Sequence, residues 1–515
     1  MDTQKPNVLV ILTDQHRWDC LGAAGNPDLR TPHLDALASD AVRFANAFCP
    51  LPVCTPSRYS ILSGLYVHQH GGWTNRCTLN PALPSFPRQL QRAGYRTRAV
   101  GKMHFTPTYL DAGFDALELA EQDGDGRLDD DYHRALRENG LADAVDVMDQ
   151  RREYRERAPK QYWETFGALR SDLPEAWHST TWIGDRAVNA IESWAPGGGG
   201  EAGTRTEQGT AQPQALVASF IKPHHPFDPP APWDSLYDPQ ALTLLPGWSE
   251  ALSERDGGFN RGYFPNDELT EPILRRAMAY YYATISQVDH QVGRMVETLK
   301  RKGLYDNTLI VFTSDHGEYL GFHHMLLKSG HMYDPLVRVP LLVKWPSGAT
   351  ARRGATSDAL VSHPDLAPTI LQTAGLESSP AMAGADLADP DGTVARREFI
   401  FAESRQGAHY MARSRSHKLL LSRDPHQSLF FNLDDDPYEQ TDLLHDPSVA
   451  GLVRTHRDAL AEWLLFQTPT SVFLDAQAPL VQQPNVQPPD AVHRREMLAW
   501  YDQAVATYLG AAGTE

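Results

Sequence analysis

The sequence predicts an α/β protein with a large, mostly parallel β-sheet flanked by helices, and three observations lead to this class. Several short runs rich in Val, Ile and Leu end abruptly in polar residues, which is typical of buried parallel strands. Segments with apolar residues at helical spacing lie between these runs. Near the C-terminus, two further strand-like runs are separated by turn residues, which predicts a smaller C-terminal α+β subdomain built on a short antiparallel sheet.

Four apolar runs are the predicted strands of the large sheet. The first covers residues 6–13 and stops at Asp14. The other three cover residues 97–100, 216–221 and 308–313, and they lead into Gly-Lys-Met-His, Lys-Pro-His-His and Ser-Asp-His-Gly, respectively. Because the carboxyl ends of parallel strands share one edge of a sheet, we expect these polar residues to meet in one site.

Helices are predicted between the strands. The longest covers residues 277–302, where apolar residues such as Ile285 and Val288 recur at helical spacing and give one apolar face. Shorter helices are predicted at residues 34–38 and 86–93. Together with the strands, they give the alternation of helix and strand that is typical of α/β folds.

The chain is predicted to have three parts. Residues 1–385 form the large α/β domain that would carry the shared site, residues 386–470 the C-terminal α+β subdomain, and residues 471–515 an extended arm followed by an amphipathic helix. Residues 196–212 are rich in Gly, Thr and Gln and lack an apolar anchor, so we expect a mobile surface loop there.

Composition excludes several classes of protein. The 515 residues carry a formal net charge of −18, which argues against a nucleic-acid-binding surface. No apolar run reaches the length of about 18 residues that a membrane span needs. The start of the chain lacks a basic region and a cleavage site, so we expect no signal peptide and a cytoplasmic protein. Four cysteines are too few for a disulfide scaffold.

One pentapeptide and its surroundings carry the functional signal. Residues 54–58 read CTPSR, and further segments follow the order of one family: NVLVILTDQ, TPHLDALA, GYRTRAVGKMH, KPHHPF, SDHGEYLG and FNLDDDPYEQTDL. Over most of its length the sequence resembles the type I, formylglycine-dependent sulfatases of the alkaline phosphatase superfamily, close to arylsulfatases and phosphonate monoester hydrolases. The resemblance implies an alkaline-phosphatase-like fold with a mixed sheet.

The resemblance also implies a mechanism. Cys54 would be converted to formylglycine by a formylglycine-generating enzyme, and Arg58 belongs to the recognition element and also holds the hydrate. One hydroxyl of the hydrate attacks sulfur in line, and the second expels sulfate, which splits the reaction into two steps. The implied activity is that of a sulfuric ester hydrolase.

A divalent metal site is implied at the sheet edge. Asp14, Gln15, Asp315 and His316 match the family's metal ligands, and the modified Cys54 completes the set. Oxygen-rich ligands suit Ca²⁺, Mg²⁺ or Mn²⁺ better than Zn²⁺. Many relatives have Asp in place of Gln15 and Asn in place of His316, which weakens the case for Ca²⁺ and leaves Mn²⁺ open.

The remaining catalytic positions of the family map onto Lys102, His104, His224 and Lys328. The two lysines are implied to hold the non-bridging sulfate oxygens. His224 would protonate the leaving alkoxide, and His104 would take a proton during sulfate release.

Two other readings stay open. One is a phosphonate monoester hydrolase or phosphodiesterase with promiscuous sulfatase activity, although Lys102 and His104 favour sulfate esters. The other is a binding protein without catalytic activity, which is disfavoured because neither Cys54 nor a metal carboxylate is missing. The negative net charge favours a small aryl or alkyl sulfate over a long sulfated polysaccharide.

The terminal helix leads to an expectation about assembly. Met497, Trp500 and Tyr501 give it a large apolar area, which is unfavourable in water. We therefore expect the helix to dock on its own chain or on a neighbouring subunit, and we predict a homodimer or homotetramer.

Overall fold

The computed structural model describes residues 5–195, 212–257, 263–328, 331–347, 353–468 and 491–512. The predicted mobile loop at residues 196–212 falls almost entirely outside these ranges, as does the proline-rich arm before residue 491. No helix in the described ranges has both the length and the apolar character needed to cross a membrane.

The described strands form two sheets. The first comprises β1 (Asn7–Thr13), β2 (Val42–Phe48), β3 (Arg96–Gly101), β4 (Ala116–Leu119), β5 (Gln214–Ser219), β6 (Thr308–Ser314), β7 (Arg338–Val339), β8 (Leu341–Lys344) and β9 (Thr356–Ser362). The second comprises β10 (Ile400–Ser404), β11 (His409–Arg413), β12 (His417–Ser422) and β13 (Leu429–Asn432).

The described α-helices surround the large sheet or cover the small one. They are α1 (Pro32–Asp40), α2 (Cys54–Ser63), α3 (Val67–His70), α4 (Phe86–Arg92), α5 (Asp131–Glu138), α6 (Ala144–Gln150), α7 (Arg152–Arg155), α8 (Lys160–Glu164), α9 (Ser179–Glu192), α10 (Glu254–Gly257), α11 (Glu271–Arg301), α12 (Asp334–Val337), α13 (Leu366–Thr373), α14 (Ala450–Glu462) and α15 (Ala491–Ala512).

The large sheet is mixed and mostly parallel, as predicted. Its order is β4-β3-β5-β1-β6-β8-β2-β7, with β9 pairing to β2. The central strand β1 is parallel to both β5 and β6, whereas β8 is antiparallel to its two neighbours. The fold class is therefore confirmed, including the all-antiparallel small sheet.

Strand β1 shows why these runs are apolar without alternation. Val8 and Val10 pack into the core on the face covered by α2, while Leu9 and Ile11 pack on the opposite face beneath α1, α9 and α11. Because both faces are covered, every residue of the strand is buried.

One predicted strand is shifted. The run at residues 216–221 forms β5 at Gln214–Ser219, so the ladder ends two residues earlier than expected. Pro223 lacks an N–H group and restricts the preceding residue, which explains why the strand does not continue into the Lys-Pro-His-His segment.

The small sheet is attached to the large one through buried charges. Asp334 of α12 forms ion pairs with Arg413 at 3.0 Å and Lys418 at 2.9 Å, and Lys418 also pairs with Glu439 at 2.7 Å. These four residues are called the interface cluster below. The division at residues 385 and 470 stays a prediction, but this cluster lies where the two sheets meet.

The terminal helix α15 docks on its own chain. Met497, Tyr501 and Val505 are buried, and they pack with Val147 and Met148 of α6. This is one of the two placements expected from the sequence. The homodimer or homotetramer stays a prediction.

Candidate active site

The carboxyl edge of the large sheet gathers the polar residues that follow its central strands. Asp14 follows β1, Lys102 follows β3, and Asp315 follows β6. The helix α2 begins at Cys54 on the same edge, and all ten of its residues are buried. The positive end of its helix dipole therefore points into the site.

Cys54 lies at the centre of the site. Its Sγ atom is 3.1 Å from the Lys328 ammonium nitrogen, 3.3 Å from His316 Nε2 and 3.7 Å from an oxygen of Asp14. Burial alone would raise the pKa of this thiol. The charges of Lys328, Lys102 and His316 outweigh burial and hold the pKa well below its usual value.

Two buried carboxylates face each other across Arg58. The guanidinium donates to Asp315 through Nε at 2.9 Å and to Asp14 through a terminal nitrogen at 3.0 Å. Burial and the Asp14 charge raise the pKa of Asp315 to about 6. Burial also disfavours ionised Asp14, but the charges of Lys102 and Arg58 outweigh it and hold the pKa of Asp14 far below the ordinary value.

These residues fit a divalent cation. One ligand atom from each of Asp14, Cys54, Asp315 and His316 lies within 4.8 Å of the others. Gln15 adds an amide oxygen that is buried and has no hydrogen-bond partner in the described structure. A buried acceptor without a donor is unfavourable unless a ligand binds it. The donor set of carboxylates, an amide oxygen and one imidazole suits a hard cation.

The ligand side chains are oriented by their neighbours. Gln15 donates its amide N–H to Glu318, which leaves the amide oxygen turned the other way. His316 Nδ1 lies 2.9 Å from the Gly317 carbonyl oxygen, so it donates there and leaves the electron pair on Nε2. Both contacts prepare the ligand atoms for a cation.

Two lysines contact the site from different sides. Lys102 forms an ion pair with Asp14 at 2.8 Å, and its amine also donates to Gln122 at 3.2 Å. Lys328 lies 3.2 Å from His224 Nε2 as well as next to Cys54. With Arg58, they place three permanent cations around Cys54, which favours the binding of an anion there.

The two predicted catalytic histidines have opposite electrostatic environments. Burial and the charges of His225, Lys328 and Lys102 hold the pKa of His224 well below its usual value. Burial would also lower the pKa of His104, but its ion pair with Asp123 at 2.8 Å and its contact with Cys54 outweigh this effect and raise that pKa to about 10.

Comparison with known proteins identifies the family. The model of the sulfatase family matches residues 6–376, which is well over half of the chain. The chain belongs to the sulfatase family. The model described as N-sulphoglucosamine sulphohydrolase, C-terminal, matches residues 321–464, which include the small sheet. The protein is therefore a sulfatase, an enzyme that hydrolyses sulfate esters.

Individual relatives cover nearly the whole sulfatase. An arylsulfatase of Clostridium perfringens is 28% identical and covers 86% of this chain and 90% of its own. A choline-sulfatase of Rhizobium meliloti is 29% identical, with coverage of 87% and 84%. The structure of a phosphonate monoester hydrolase of Agrobacterium radiobacter has a TM-score of 0.71 at 24% identity, covering 89% of this chain and 95% of that one. That last likeness shows the shared fold.

The structure brings together every residue that the sequence analysis placed in the sulfatase site. It also shows residues that the analysis missed, namely Glu121, Gln122, Asp123, Ser219 and Glu318. Three of these follow β4, whose short and half-buried sequence gives little strand signal. If β4 had been recognised as a strand, residues 121–123 would have been predicted at the same edge of the sheet, because they follow its carboxyl end.

Proposed function

We propose that this sulfatase hydrolyses small aryl or alkyl sulfate monoesters, using a formylglycine made from Cys54 and one divalent metal ion. The main support is the position of Cys54 at the N-terminus of α2, where its Sγ atom lies within 3.3 Å of both Lys328 Nζ and His316 Nε2. A nucleophile at this point is surrounded by groups that stabilise negative charge.

The metal would be held by Asp14, Gln15, Asp315, His316 and the modified Cys54. Such an ion supplies a Lewis acid that favours the ionised nucleophile and neutralises charge on sulfate. The oxygen-rich ligand set supports Ca²⁺ or Mn²⁺, with Mg²⁺ as a third choice, and the neutral Gln15 and His316 favour Mn²⁺ over Ca²⁺.

The chain's own residues supply the remaining steps. Lys102 and Lys328 bind non-bridging oxygens of the sulfate group, and Arg58 fixes the two carboxylates. His224 Nε2 lies 3.2 Å from Lys328 beside the nucleophile, and protonation of the leaving alkoxide is assigned to His224. Proton transfer during sulfate release is assigned to His104.

The second candidate is a phosphonate monoester hydrolase or phosphodiesterase activity at the same site. Its support is the overall fold shared with a phosphonate monoester hydrolase. The ion pair of Lys102 with Asp14 and that of His104 with Asp123 favour sulfate, because they place two cationic side chains beside Cys54. A cytoplasmic location, modification by a formylglycine-generating enzyme and a homo-oligomeric state remain proposals.

One set of measurements tests the proposal. Values of kcat/KM are compared for aryl sulfates, choline sulfate, sulfated sugars, phosphodiesters and phosphonate monoesters, after chelation and re-addition of Ca²⁺, Mg²⁺ or Mn²⁺. We expect the highest value for a small sulfate ester. A higher value for phosphodiesters or phosphonates would select the second candidate instead.

Mass spectrometry tests the nucleophile. The peptide covering residues 44–58 should be about 18 Da lighter than its thiol form in active enzyme. Cys54→Ala should lower kcat/KM at least about 10⁴-fold, since a covalent nucleophile is lost. The matched control is Cys77→Ser, which changes a free thiol outside the charged cluster and should retain full activity. Full activity with an unmodified Cys54 thiol would contradict the proposal.

A further inference from the structure

Residues Glu121, Gln122 and Asp123, which follow β4, contact the Lys102–His104 segment at three points. Glu121 accepts hydrogen bonds from the backbone N–H groups of Met103 at 3.0 Å and His104 at 2.9 Å. Gln122 accepts from the Lys102 amine at 3.2 Å. Asp123 pairs with His104 Nε2 at 2.8 Å. Each member of this short segment therefore holds a different group of the candidate active site.

His104 is held unusually tightly. Its backbone has φ of +56°, a left-handed conformation that is unfavourable for a non-glycine residue. The contacts that hold it there are the Glu121 carboxylate on its N–H and the Thr55 hydroxyl, which donates to its carbonyl oxygen at 2.9 Å. Such strain persists where surrounding contacts fix the residue for a function.

The two ring nitrogens of His104 have different surroundings. Nε2 is paired with Asp123, whose side chain is 39% exposed at the rim. Nδ1 is buried and has no hydrogen-bond partner in the part of the chain that the structure describes. Because Asp123 occupies Nε2, Nδ1 is the ring nitrogen left for a group in the site.

We propose that Asp123 is a positioning residue that fixes His104 with Nδ1 towards the nucleophile. An ionised carboxylate only accepts hydrogen bonds, so Nε2 keeps its proton beside Asp123, and Nδ1 is the ring nitrogen that exchanges a proton with the nucleophile. Without Asp123, the proton occupies either nitrogen and the ring is free to turn. This inference rests on the proposed function, because it assigns a role in one of its steps.

That step is the release of sulfate from sulfated formylglycine. His104 Nδ1 takes the proton of the remaining hydroxyl, and the electrons of that O–H bond form the carbonyl bond. The bond between carbon and the sulfate oxygen breaks, and sulfate leaves with the electron pair. The proton on His104 then passes to solvent, and water adds to the aldehyde to restore the hydrate.

The test is Asp123→Asn, assayed with 4-nitrophenyl sulfate. Slowing only the second step lowers kcat and KM together by about 10- to 100-fold and leaves kcat/KM within about 2-fold of wild type. The first turnover should then appear as a burst of 4-nitrophenolate. Independently of activity, mass spectrometry should find the peptide of residues 44–58 carrying one added sulfonate group. Asp123→Glu, which keeps the carboxylate, should restore at least part of kcat.

The matched control is Asp125→Asn, two residues further on. Asp125 pairs with the exposed Arg494 of α15 and is predicted to leave kcat, KM and the burst unchanged. Wild-type kcat in Asp123→Asn would overturn the inference. So would a loss of kcat/KM without a burst, whether or not the melting temperature falls. A wild-type enzyme that hydrolyses no sulfate ester would instead refute the proposed function, and this inference with it.

Discussion

The candidate active site and the interface cluster are both buried and charged, but their charges are arranged differently. In the interface cluster, Asp334 and Glu439 balance Arg413 and Lys418 through direct ion pairs. In the site, the cations of Lys102, Lys328 and Arg58 surround Cys54, Asp14 and Asp315. Two buried polar atoms of site residues, Gln15 Oε1 and His104 Nδ1, have no hydrogen-bond partner in the part of the chain that the structure describes.

This difference in charge arrangement suggests that the interface cluster stabilises the fold, whereas the candidate active site binds a ligand. A closed set of buried ion pairs is strongly destabilised when one partner is removed, because the other charge remains buried and alone. An open set already contains unsatisfied groups, so it is favourable only when a ligand completes it. Substitutions in the two clusters should therefore act on different measured quantities.

The largest effect is expected for Asp334→Asn. Burial opposes ionisation of Asp334, but the charges of Arg413, Lys418 and Arg338 outweigh it and lower the pKa below its usual value of 3.8. The substitution should lower the free energy of unfolding by about 3–5 kcal/mol, measured by urea denaturation. The stabilisation in wild type is present above pH 3.8 and is lost as the pH falls further. The kcat/KM of the folded variant should not change. A lower kcat/KM would show that the interface cluster contributes to catalysis as well as to stability.

The second effect is expected for Asp315→Asn in the site. The pKa of Asp315 is shifted in the opposite direction from that of Asp334, because burial and the Asp14 charge raise it to about 6. Neutralising it should therefore leave the free energy of unfolding of the metal-free protein within about 1 kcal/mol of wild type. The bound metal should be lost, with at least a 10²-fold drop in kcat/KM, about 3 kcal/mol. Elemental analysis showing full metal content would contradict the ligand assignment.

Lys102→Ala should act on discrimination between substrates. A sulfate monoester offers a third non-bridging oxygen for this lysine, whereas a phosphodiester has an alkoxy group there. The ratio of kcat/KM for the sulfate over kcat/KM for the diester should fall about 5- to 150-fold, which corresponds to about 1–3 kcal/mol. The control is Lys344→Met, a buried lysine that donates to the carbonyl oxygen of Thr308 at 3.1 Å and is absent from the site. An unchanged ratio for Lys102→Ala would show that it does not discriminate.

The smallest effect is expected for His68→Gln, at a second buried contact of the small sheet, where α3 meets β10. Burial lowers the pKa of His68, but its hydrogen bond to Glu403 at 3.0 Å outweighs burial and raises it above 6.5. The ion pair should therefore stabilise the fold below pH 6.5, and this contribution is lost as the pH rises through the raised pKa. Urea denaturation at pH 6 and pH 9 should differ less for the variant than for wild type. If the free energy of unfolding changes equally between pH 6 and pH 9 in the variant and in wild type, the pair of His68 and Glu403 does not stabilise the fold.

The candidate active site was more predictable from the sequence than the interface cluster. The site follows from local patterns, since β1 and β6 are continuously apolar and the residues after them lie on a shared edge. Residue roles came from the family motif around Cys54. No local pattern marks Lys418 or Glu439 as buried, because each is stabilised only by a charge that is distant in sequence.

The same limit applies to the positioning residues. Asp123 follows a four-residue strand with only one buried residue, so neither periodicity nor an apolar run predicts its position. Its contact with His104 depends on the pairing of β3 with β4, which only the folded sheet defines. Similarly, the sequence gives the apolar face of α15 but not the surface on which it docks.

The burial of α2 would set a time limit for the proposed modification of Cys54. Cys54 and His316 are 262 residues apart in the chain, so a growing polypeptide displays the cysteine long before the rest of the sheet exists. At a ribosomal speed of about 5–20 residues per second, that interval lasts from about ten seconds to a minute. The enzyme of the proposed modification would have to act within this window, because sheet closure leaves only 1% of Cys54 exposed. The yield of modified enzyme should therefore depend on how fast the chain is synthesised.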